Sequence, residues 1–233
     1  ITLKLSNFEE SGAVVAALTT SLPEAPGSGR TWDYRFCWLR DAYFVVKALN
    51  RIGATRTMED FISFILGIVS EERGELKPCY GIVPTDLLEE RIAPDLQGFQ
   101  GHGPVRVGNA AAGQVQHDAY GSVILAATPL FFDRRLPTGG TEALFRLLEG
   151  LGNRAAELAL KPDAGIWEYR GRARVHTHSA AMCWAGVSRL CAIAHRLGFA
   201  ERAQHWGRVA DMIQSVILER AWSPKRNAFC AAL

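Results

Sequence analysis

The chain has 233 residues, of which 48% are hydrophobic and 21% are charged, and its formal net charge is +2. A chain of this length and composition can bury a core, which argues against disorder and favours one domain or part of one. Lys and Arg are scattered along the sequence and form no basic stripe, so the charge pattern favours neither nucleic acid nor an anionic membrane as a partner.

The five cysteines are widely spaced and show no CxxC pair or other metal-ligand spacing. The sequence has no apolar run of about 18 residues and no signal-peptide pattern. Together these features predict buried thiols in a reducing compartment and a cytoplasmic protein. Phosphate loops, dinucleotide glycine motifs and a GxSxG elbow are missing from the sequence, which argues against nucleotide chemistry and serine hydrolysis. No metal and no cofactor is expected.

The first part of the chain predicts extended segments followed by two helices. Residues 13–18 favour a short extended piece, and residues 23–29, which are rich in Gly, Pro and Ser, favour a loop. Apolar residues at helical spacing predict a helix over 38–53. Thr57 with Asp60 resembles a capping box that opens a second helix.

Four further helices are predicted after a long connection. Residues 73–109 are rich in Gly and Pro, which predicts a long loop with a hairpin. A loop of this length is usually either functional or disordered. The periodicity then predicts helices over 111–132, 141–160, 179–197 and 200–220. A polar loop, KPDAGIWEYRGRARVHTH, separates the middle two. Successive helices with alternating short and long connections predict an all-α fold of helical hairpins, with short strands in the long loops.

The stretch TWDYRFCWLRDA, residues 31–42, combines aromatic rings with charges. A site that binds a sugar needs aromatic platforms beside charged groups that hydrogen-bond hydroxyls. Arg40 and Asp41, at the start of a predicted helix, are therefore candidates for binding the hydroxyls of one sugar ring. The alternative is that they pair with Asp33 and Arg35 in a structural network, and on this stretch alone the alternative is favoured.

The segment GIWEYRG places Glu168 between Trp167 and Tyr169. A carboxyl group against an aromatic wall stays protonated at a higher pH than an exposed one, as a general acid requires. Glu168 is therefore a candidate acid. The alternative is a side chain that faces solvent and pairs with Arg170 or Arg172.

Polar residues in two other segments are weaker candidates. Gln116, His117 and Asp118 at the start of a predicted helix suit hydroxyl binding or helix capping. His176 and His178 are two residues apart and would suit a metal only with a third ligand, which the sequence does not supply.

Three separated segments resemble the successive motifs of glycoside hydrolase family 15, the glucoamylases and related microbial trehalases. They are TTSLPE with WDYRFCWLRDA, PVRVGNAAAGQVQHDAYG, and GIWEYRG with HTHSAAMCW. The resemblance runs from about Ser11 to the end of the chain. It implies an (α/α)6 toroid of twelve helices in six hairpins, of which this chain would supply the first half.

The resemblance also implies roles for individual residues. Glu168 matches the family's general acid, and Arg40 with Asp41 matches the pair that holds the terminal glucose. Trp167 would form a wall of the pocket, and Trp38 would support it. Further substrate-binding residues are expected at Gln116, Asp118 and His178.

An inverting glycosidase also needs a carboxylate base, about 6.5–9.5 Å from the acid. The family's base lies well downstream of the WE motif, and no residue of this chain is assigned to it, because Glu201 and Glu219 lie on ordinary predicted helices. The chain is therefore expected to be a fragment. Residues 1–20 would be a linker from an N-terminal β-sandwich domain, and residues 21–233 a partial catalytic domain.

The expected function is hydrolysis of terminal α-linked glucose by acid and base catalysis without a cofactor. Starch ends, short maltooligosaccharides and trehalose all remain open as substrates, as does the oligomeric state. The expected partner is a carbohydrate, not nucleic acid or a membrane. A rival interpretation is a non-catalytic carbohydrate-binding or helical interaction module. An epimerase on a helical toroid would need a His pair facing the ring, for which His176 and His178 are the candidates.

Overall fold

The structure is a computed structural model that describes residues 1–71, 75–83 and 88–233. The helices are α1 (Thr2–Leu5), α2 (Leu39–Arg51), α3 (Thr55–Glu71), α4 (Asp118–Ala127), α5 (Pro129–Phe132), α6 (Glu142–Leu158), α7 (Thr177–Leu197) and α8 (Ala200–Ala221). The strands are β1 (Thr20–Pro23), β2 (Thr31–Asp33), β3 (Cys37–Trp38), β4 (Cys79–Tyr80), β5 (Arg91–Ile92), β6 (Arg106–Val107), β7 (Trp222–Ser223) and β8 (Ala228–Phe229). The prediction of a helical fold with short strands in the long loops is confirmed.

The chain divides into two units, and the first consists of Ile1–Leu66 and Lys77–Gln114. Its strands form antiparallel pairs, β1 with β2, β3 with β4 and β5 with β6. Helix α2 is amphipathic because its buried apolar residues recur at helical spacing. These residues are Leu39, Ala42, Val46 and Leu49.

The second unit consists of Gly67–Leu76 and Val115–Leu233. Helix α7 lies at its centre and packs against α4, α6 and α8. The approach of α4 to α7 is close because both helices carry glycine at the contact. A Cβ at Gly121 of α4 would lie 2.0 Å from the backbone oxygen of Met182, and a Cβ at Gly186 of α7 would lie 3.0 Å from the Cα of Gly121.

Most predicted helices agree with the structure. The helices predicted over 38–53, 141–160, 179–197 and 200–220 correspond to α2, α6, α7 and α8 within two residues at each end. Of the loop predicted over 73–109, residues 73–74 and 84–87 lie outside the described residues, and the hairpin predicted there corresponds to the β5 and β6 pair. No helix in the described ranges is both long and apolar enough to span a bilayer.

The continuous helix predicted over 111–132 is wrong. Residues Ala110–Gly113 form a 3-10 turn, and α4 begins only at Asp118. The Asn109 side chain caps this turn by accepting a hydrogen bond of 2.9 Å from the backbone N–H of Ala111. The turn ends at Gln114, where the backbone is extended. Pro129 then opens the separate helix α5.

The capping box predicted at Thr57 is also wrong. Helix α3 begins at Thr55, so Thr57 lies inside its first turn. The Thr57 hydroxyl instead accepts a hydrogen bond from the Nζ of Lys4 at 3.1 Å. Lys4 belongs to α1, the helical turn near the start of the segment predicted as a linker over residues 1–20. The division of the chain at residue 20 stays a prediction.

Candidate active site

The first group of candidate residues lies where β3 runs into α2. Strand β3 is held by pairing of Trp38 with Cys79 and by a hydrogen bond of 3.1 Å from the Leu39 N–H to the Pro78 carbonyl oxygen. The Trp38 side chain is buried as a result, and its ring centroid lies 5.8 Å from that of Tyr34. Trp38 is therefore placed to support the start of α2 from within the core.

Arg40 and Asp41 occupy the first turn of α2. Arg40 is buried, and its Nε lies 3.4 Å from Oδ2 of Asp41, whose side chain is 47% exposed. Asp33 is fully buried and takes two hydrogen bonds of 2.8 Å from the guanidinium of Arg35. Arg40 with Asp41 and Arg35 with Asp33 thus form ion pairs, as the structural alternative predicted. Asp41 remains accessible to a ligand at the helix N-terminus, where a negative charge is stabilised.

The candidate acid, Glu168, lies on a loop that is closed at its base by backbone hydrogen bonds. The Asp163 N–H donates to the Arg174 carbonyl oxygen at 2.9 Å, and the Arg174 N–H donates back to Asp163 at 3.0 Å. Within this 163–174 loop, the Glu168 N–H donates to the carbonyl oxygen of Gly165 at 3.1 Å. The loop therefore holds Glu168 by internal hydrogen bonds as well as by its closed ends.

The backbone of Glu168 is strained. Its φ is +53°, in the left-handed region that residues with a Cβ rarely occupy. Such a conformation costs about 1–3 kcal/mol and persists only where the surroundings impose it, which is common at functional sites. The side chain is held as well, because Nε2 of the buried Gln116 donates to Oε1 of Glu168 at 3.1 Å.

The two aromatic residues that flank Glu168 in the sequence, Trp167 and Tyr169, have different environments. Trp167, the preceding residue, is 68% exposed, and an exposed aromatic ring can serve as a platform for a sugar ring. Tyr169 lies on the other side, with the Arg172 guanidinium over its ring at 5.7 Å and the ring of His176 at 6.1 Å. The role of Trp167 as a pocket wall stays a prediction.

Two more predicted residues lie at the starts of neighbouring helices. Asp118 is buried in the first turn of α4, and His178 is partly exposed in the first turn of α7. His178 Nδ1 lies 3.9 Å from Asp118 Oδ2. The second unit therefore brings Gln116 to Glu168 and Asp118 near His178.

The sequence did not single out Asp163, which the structure places at the base of the Glu168 loop. Its side chain is 1% exposed. Oδ2 accepts a hydrogen bond of 2.9 Å from the backbone N–H of His117 and one of 2.7 Å from the hydroxyl of Ser179. The available signal was an Asp in a turn-rich segment five residues before Glu168, which is too common to be decisive.

The two other histidines of the predicted segments are buried in the second unit. Burial lowers the pKa of His117, and the nearby carboxylates of Asp163 and Asp118 only partly oppose this. His176 packs against Gly165, where a Cβ would lie 2.4 Å from the imidazole ring. Across the described ranges, no group of three His, Cys, Asp or Glu side chains is placed to hold a metal ion.

Comparison with known proteins gives consistent matches. The sequence model of the glycosyl hydrolases family 15 matches residues 1–232. The trehalase of Mycobacterium tuberculosis is 37% identical over 222 residues, which cover 94% of this chain and 32% of that protein. The trehalase of Thermoplasma volcanium is 33% identical over 231 residues, which cover 98% of this chain and 36% of that protein. The chain thus spans about a third of the length of the curated relatives it matches.

Among solved structures, the crystal structure of a bacterial glucoamylase complexed with acarbose is similar, with a TM-score of 0.59 and 20% sequence identity. The match covers 93% of this chain and 27% of that chain. At this identity the likeness shows the fold alone, and it confirms the predicted (α/α)6 class of helical hairpins.

Proposed function

Because the chain belongs to glycosyl hydrolases family 15, we propose that it carries the general acid, Glu168, of an inverting glycosidase. The intact enzyme would release terminal glucose from an α-glucoside without a cofactor. In this proposal residues 21–233 are the part of the catalytic domain that contains the acid, and the base is a carboxylate outside them.

The observation that carries the proposal is the way in which Glu168 is held. A carboxylic acid on a closed loop, in a strained backbone conformation, takes a hydrogen bond from a buried amide and lies beside an exposed tryptophan. Strain of this kind is retained where the surrounding structure imposes it, and it clusters at active sites.

The chemistry follows from inversion. Glu168 protonates the glycosidic oxygen as the bond to the leaving sugar breaks, while a second carboxylate takes a proton from the water that attacks the opposite face. The glucose that forms from the attacked ring is therefore the β-anomer. Arg40 and Asp41 would hold hydroxyls of the terminal glucose, since charged groups make the stronger hydrogen bonds to such hydroxyls.

Trehalose is the substrate that we propose first, because the curated relatives at 33% and 37% identity carry the name trehalase. The proposal includes a cytoplasmic location, which the presence of all five cysteines as thiols supports.

The test is the anomeric composition of the first product, measured by NMR with the natural protein that contains this chain. Inverting cleavage of trehalose must give equal amounts of α- and β-glucose, because only the attacked sugar inverts, whereas a retaining enzyme gives the α-anomer alone. Glu168→Gln should lower kcat by at least about 100-fold. Glu201→Gln, on the exposed start of α8, is the matched control and should leave kcat unchanged.

Two results would contradict the proposal. Normal turnover by the Glu168→Gln variant would remove Glu168 from the role of acid. Binding of trehalose and maltose without release of glucose would instead support a non-catalytic carbohydrate-binding module.

A further inference from the structure

We propose that Asp163 is a positioning residue for the general acid. Asp163 stands at the base of the loop that carries Glu168, and its buried carboxylate bonds to the two segments that carry Gln116 and His178. The inference rests on the proposed function of Glu168. It concerns a residue that touches neither substrate nor the reacting atoms, and that acts through the loop on which the acid lies.

The first step is the connection of Asp163 to the acid. Its backbone N–H and carbonyl oxygen both bond to Arg174, so Asp163 is one of the two ends at which the 163–174 loop is closed. The next residue, Ala164, donates its N–H to the carbonyl oxygen of Val115 at 2.9 Å. The loop that holds Glu168 is therefore fixed at its base, on the side where Asp163 lies.

The second step is the connection of Asp163 to the helices. Oδ2 accepts from the His117 N–H, directly before α4, and from the Ser179 hydroxyl in the first turn of α7. At α4 the carboxylate satisfies a backbone N–H that a helix start leaves without an intrahelical partner. At α7 it accepts from a side-chain hydroxyl instead. Its negative charge is also stabilised there by the dipoles of both helices.

The third step is the position of the substrate-side residues. Gln116, which donates to Glu168, is the neighbour of His117, and His178 is the neighbour of Ser179. Displacement of the Asp163 carboxylate would therefore move the start of α4, the start of α7 and the acid loop relative to one another. A catalytic group that moves by about 1 Å can lose about 100-fold in rate.

The activities on two substrates with different leaving groups distinguish a variant with a misplaced acid from a variant that is only less stable. A sugar is a poor leaving group, so its departure is much faster when the acid protonates the leaving oxygen. Fluoride leaves without a proton, so its departure depends little on the acid. Variants that disturb the acid should therefore lose activity on trehalose and keep it on α-glucosyl fluoride. Variants that only reduce the folded fraction should lose both activities in the same proportion.

The side chain of Asp163 offers a graded set of substitutions. Oδ1 makes no hydrogen bond within the described part of the chain, so Asp163→Asn can keep the acceptor oxygen on both donors and place its NH2 group at the Oδ1 position. Asp163→Ala removes the acceptor from both donors. Ser179→Ala removes one donor and leaves the carboxylate, which makes it the variant that is least disturbing to folding.

The experiment measures kcat and KM on trehalose and on α-glucosyl fluoride for these variants of the natural protein. We expect Asp163→Ala to lower kcat on trehalose about 100-fold and on the fluoride less than about 5-fold, with KM on trehalose changed less than about 3-fold. Ser179→Ala should show the same pattern with a loss of about 10-fold on trehalose. Asp163→Asn should recover most of the activity.

The matched control is Thr141→Ala. Thr141 caps α6, where its Oγ1 accepts from the Leu144 N–H at 3.1 Å, and none of the candidate residues lies on that helix. This variant should lower the melting temperature without changing the ratio of the two activities. The proposal for Asp163 is overturned if the Asp163 and Ser179 variants behave like the control, with the two activities falling together.

Glu168→Gln serves as the reference for the leaving-group effect. If Glu168→Gln keeps the fluoride activity and the Asp163 variants lose both activities equally, only the role of Asp163 is wrong. If Glu168→Gln loses activity on trehalose and on α-glucosyl fluoride in the same proportion, the assignment of Glu168 as the acid is wrong.

Discussion

The side-chain amide of Gln116 lies 3.1 Å from the carboxyl group of Glu168 and donates a hydrogen bond to its Oε1. Gln116 is only 2% exposed, so its amide is fixed by packing and in turn orients the carboxyl group. Gln116, which was predicted to bind substrate, thus contacts the candidate acid itself. This contact leads to the first prediction.

Replacement of Gln116 by Leu should lower kcat by about 10- to 100-fold with little change in KM, because the candidate acid loses the donor that orients it while the contacts proposed for Arg40 and Asp41 remain. Steady-state kinetics on trehalose measure both constants. Gln204→Leu, at an exposed position on α8, is the matched control and should have the kinetics of the unmodified protein. A normal kcat for the Gln116 variant would show that the hydrogen bond has no part in catalysis.

Arg40→Ala should act differently, by weakening the hold on the terminal sugar both before and in the transition state. A lost hydrogen bond to a charged group is worth about 1.5–3 kcal/mol, so kcat/KM should fall by about 10- to 100-fold. Isothermal titration with an unreactive glucoside measures the same loss in Kd. Arg56→Ala, whose side chain is 92% exposed on α3, provides the control, and an unchanged kcat/KM for Arg40→Ala would rule out its assigned role.

The packing of α4 against α7 gives a prediction on stability. Gly121→Ala places a methyl group within 2.0 Å of the backbone oxygen of Met182, so the two helices must separate. The free energy of unfolding should fall by about 1–3 kcal/mol or more. Gly150→Ala is the matched control, since a Cβ there meets nothing within 4 Å on α6, and it should raise stability by about 0.5–1 kcal/mol. Urea unfolding of both variants measures the difference, and equal effects would contradict the close approach of the helices.

Buried His117 predicts a dependence of stability on pH. Burial holds its pKa below the ordinary value of 6.5, so the unfolded chain binds a proton at a pH where the folded chain does not. The free energy of unfolding therefore rises with pH between the lowered pKa and 6.5, and this contribution is lost as the pH falls through that window.

Thermal unfolding at pH 7.5 and pH 5.5 tests this dependence. The unmodified protein should lose more stability on acidification than the His117→Gln variant, which has no imidazole to titrate. Parallel losses in the two proteins would mean that another group accounts for the acid sensitivity.

Sequence patterns predicted those parts of the fold that depend on local periodicity. Helices α7 and α8 each carry apolar residues at helical spacing over more than twenty residues, and Gly198 ends the first of them in the left-handed conformation. The helix predicted over 111–132 is interrupted because the backbone is extended at Gln114 and Pro129 opens a separate helix, and apolar spacing does not show either feature.

The candidate site was predictable only in part. The motifs identified Glu168 and Gln116 separately, but no pattern indicated the hydrogen bond between them, which spans 52 residues. Asp163 was missed for the same reason. Its partners are the backbone N–H of His117, 46 residues away, and Ser179, 16 residues away, and a backbone N–H has no residue-specific signal in a sequence.

The closure of the 163–174 loop has a consequence for divergence among related enzymes. Arg174 takes part in it only through its backbone, so any residue except proline can stand at that position. The residues from Tyr169 to Arg174 are all exposed, and their side chains can change while the closed base and the acid stay in place. Substitutions at Tyr169–Arg174 should therefore leave the backbone bonds that close the loop below Glu168 unchanged.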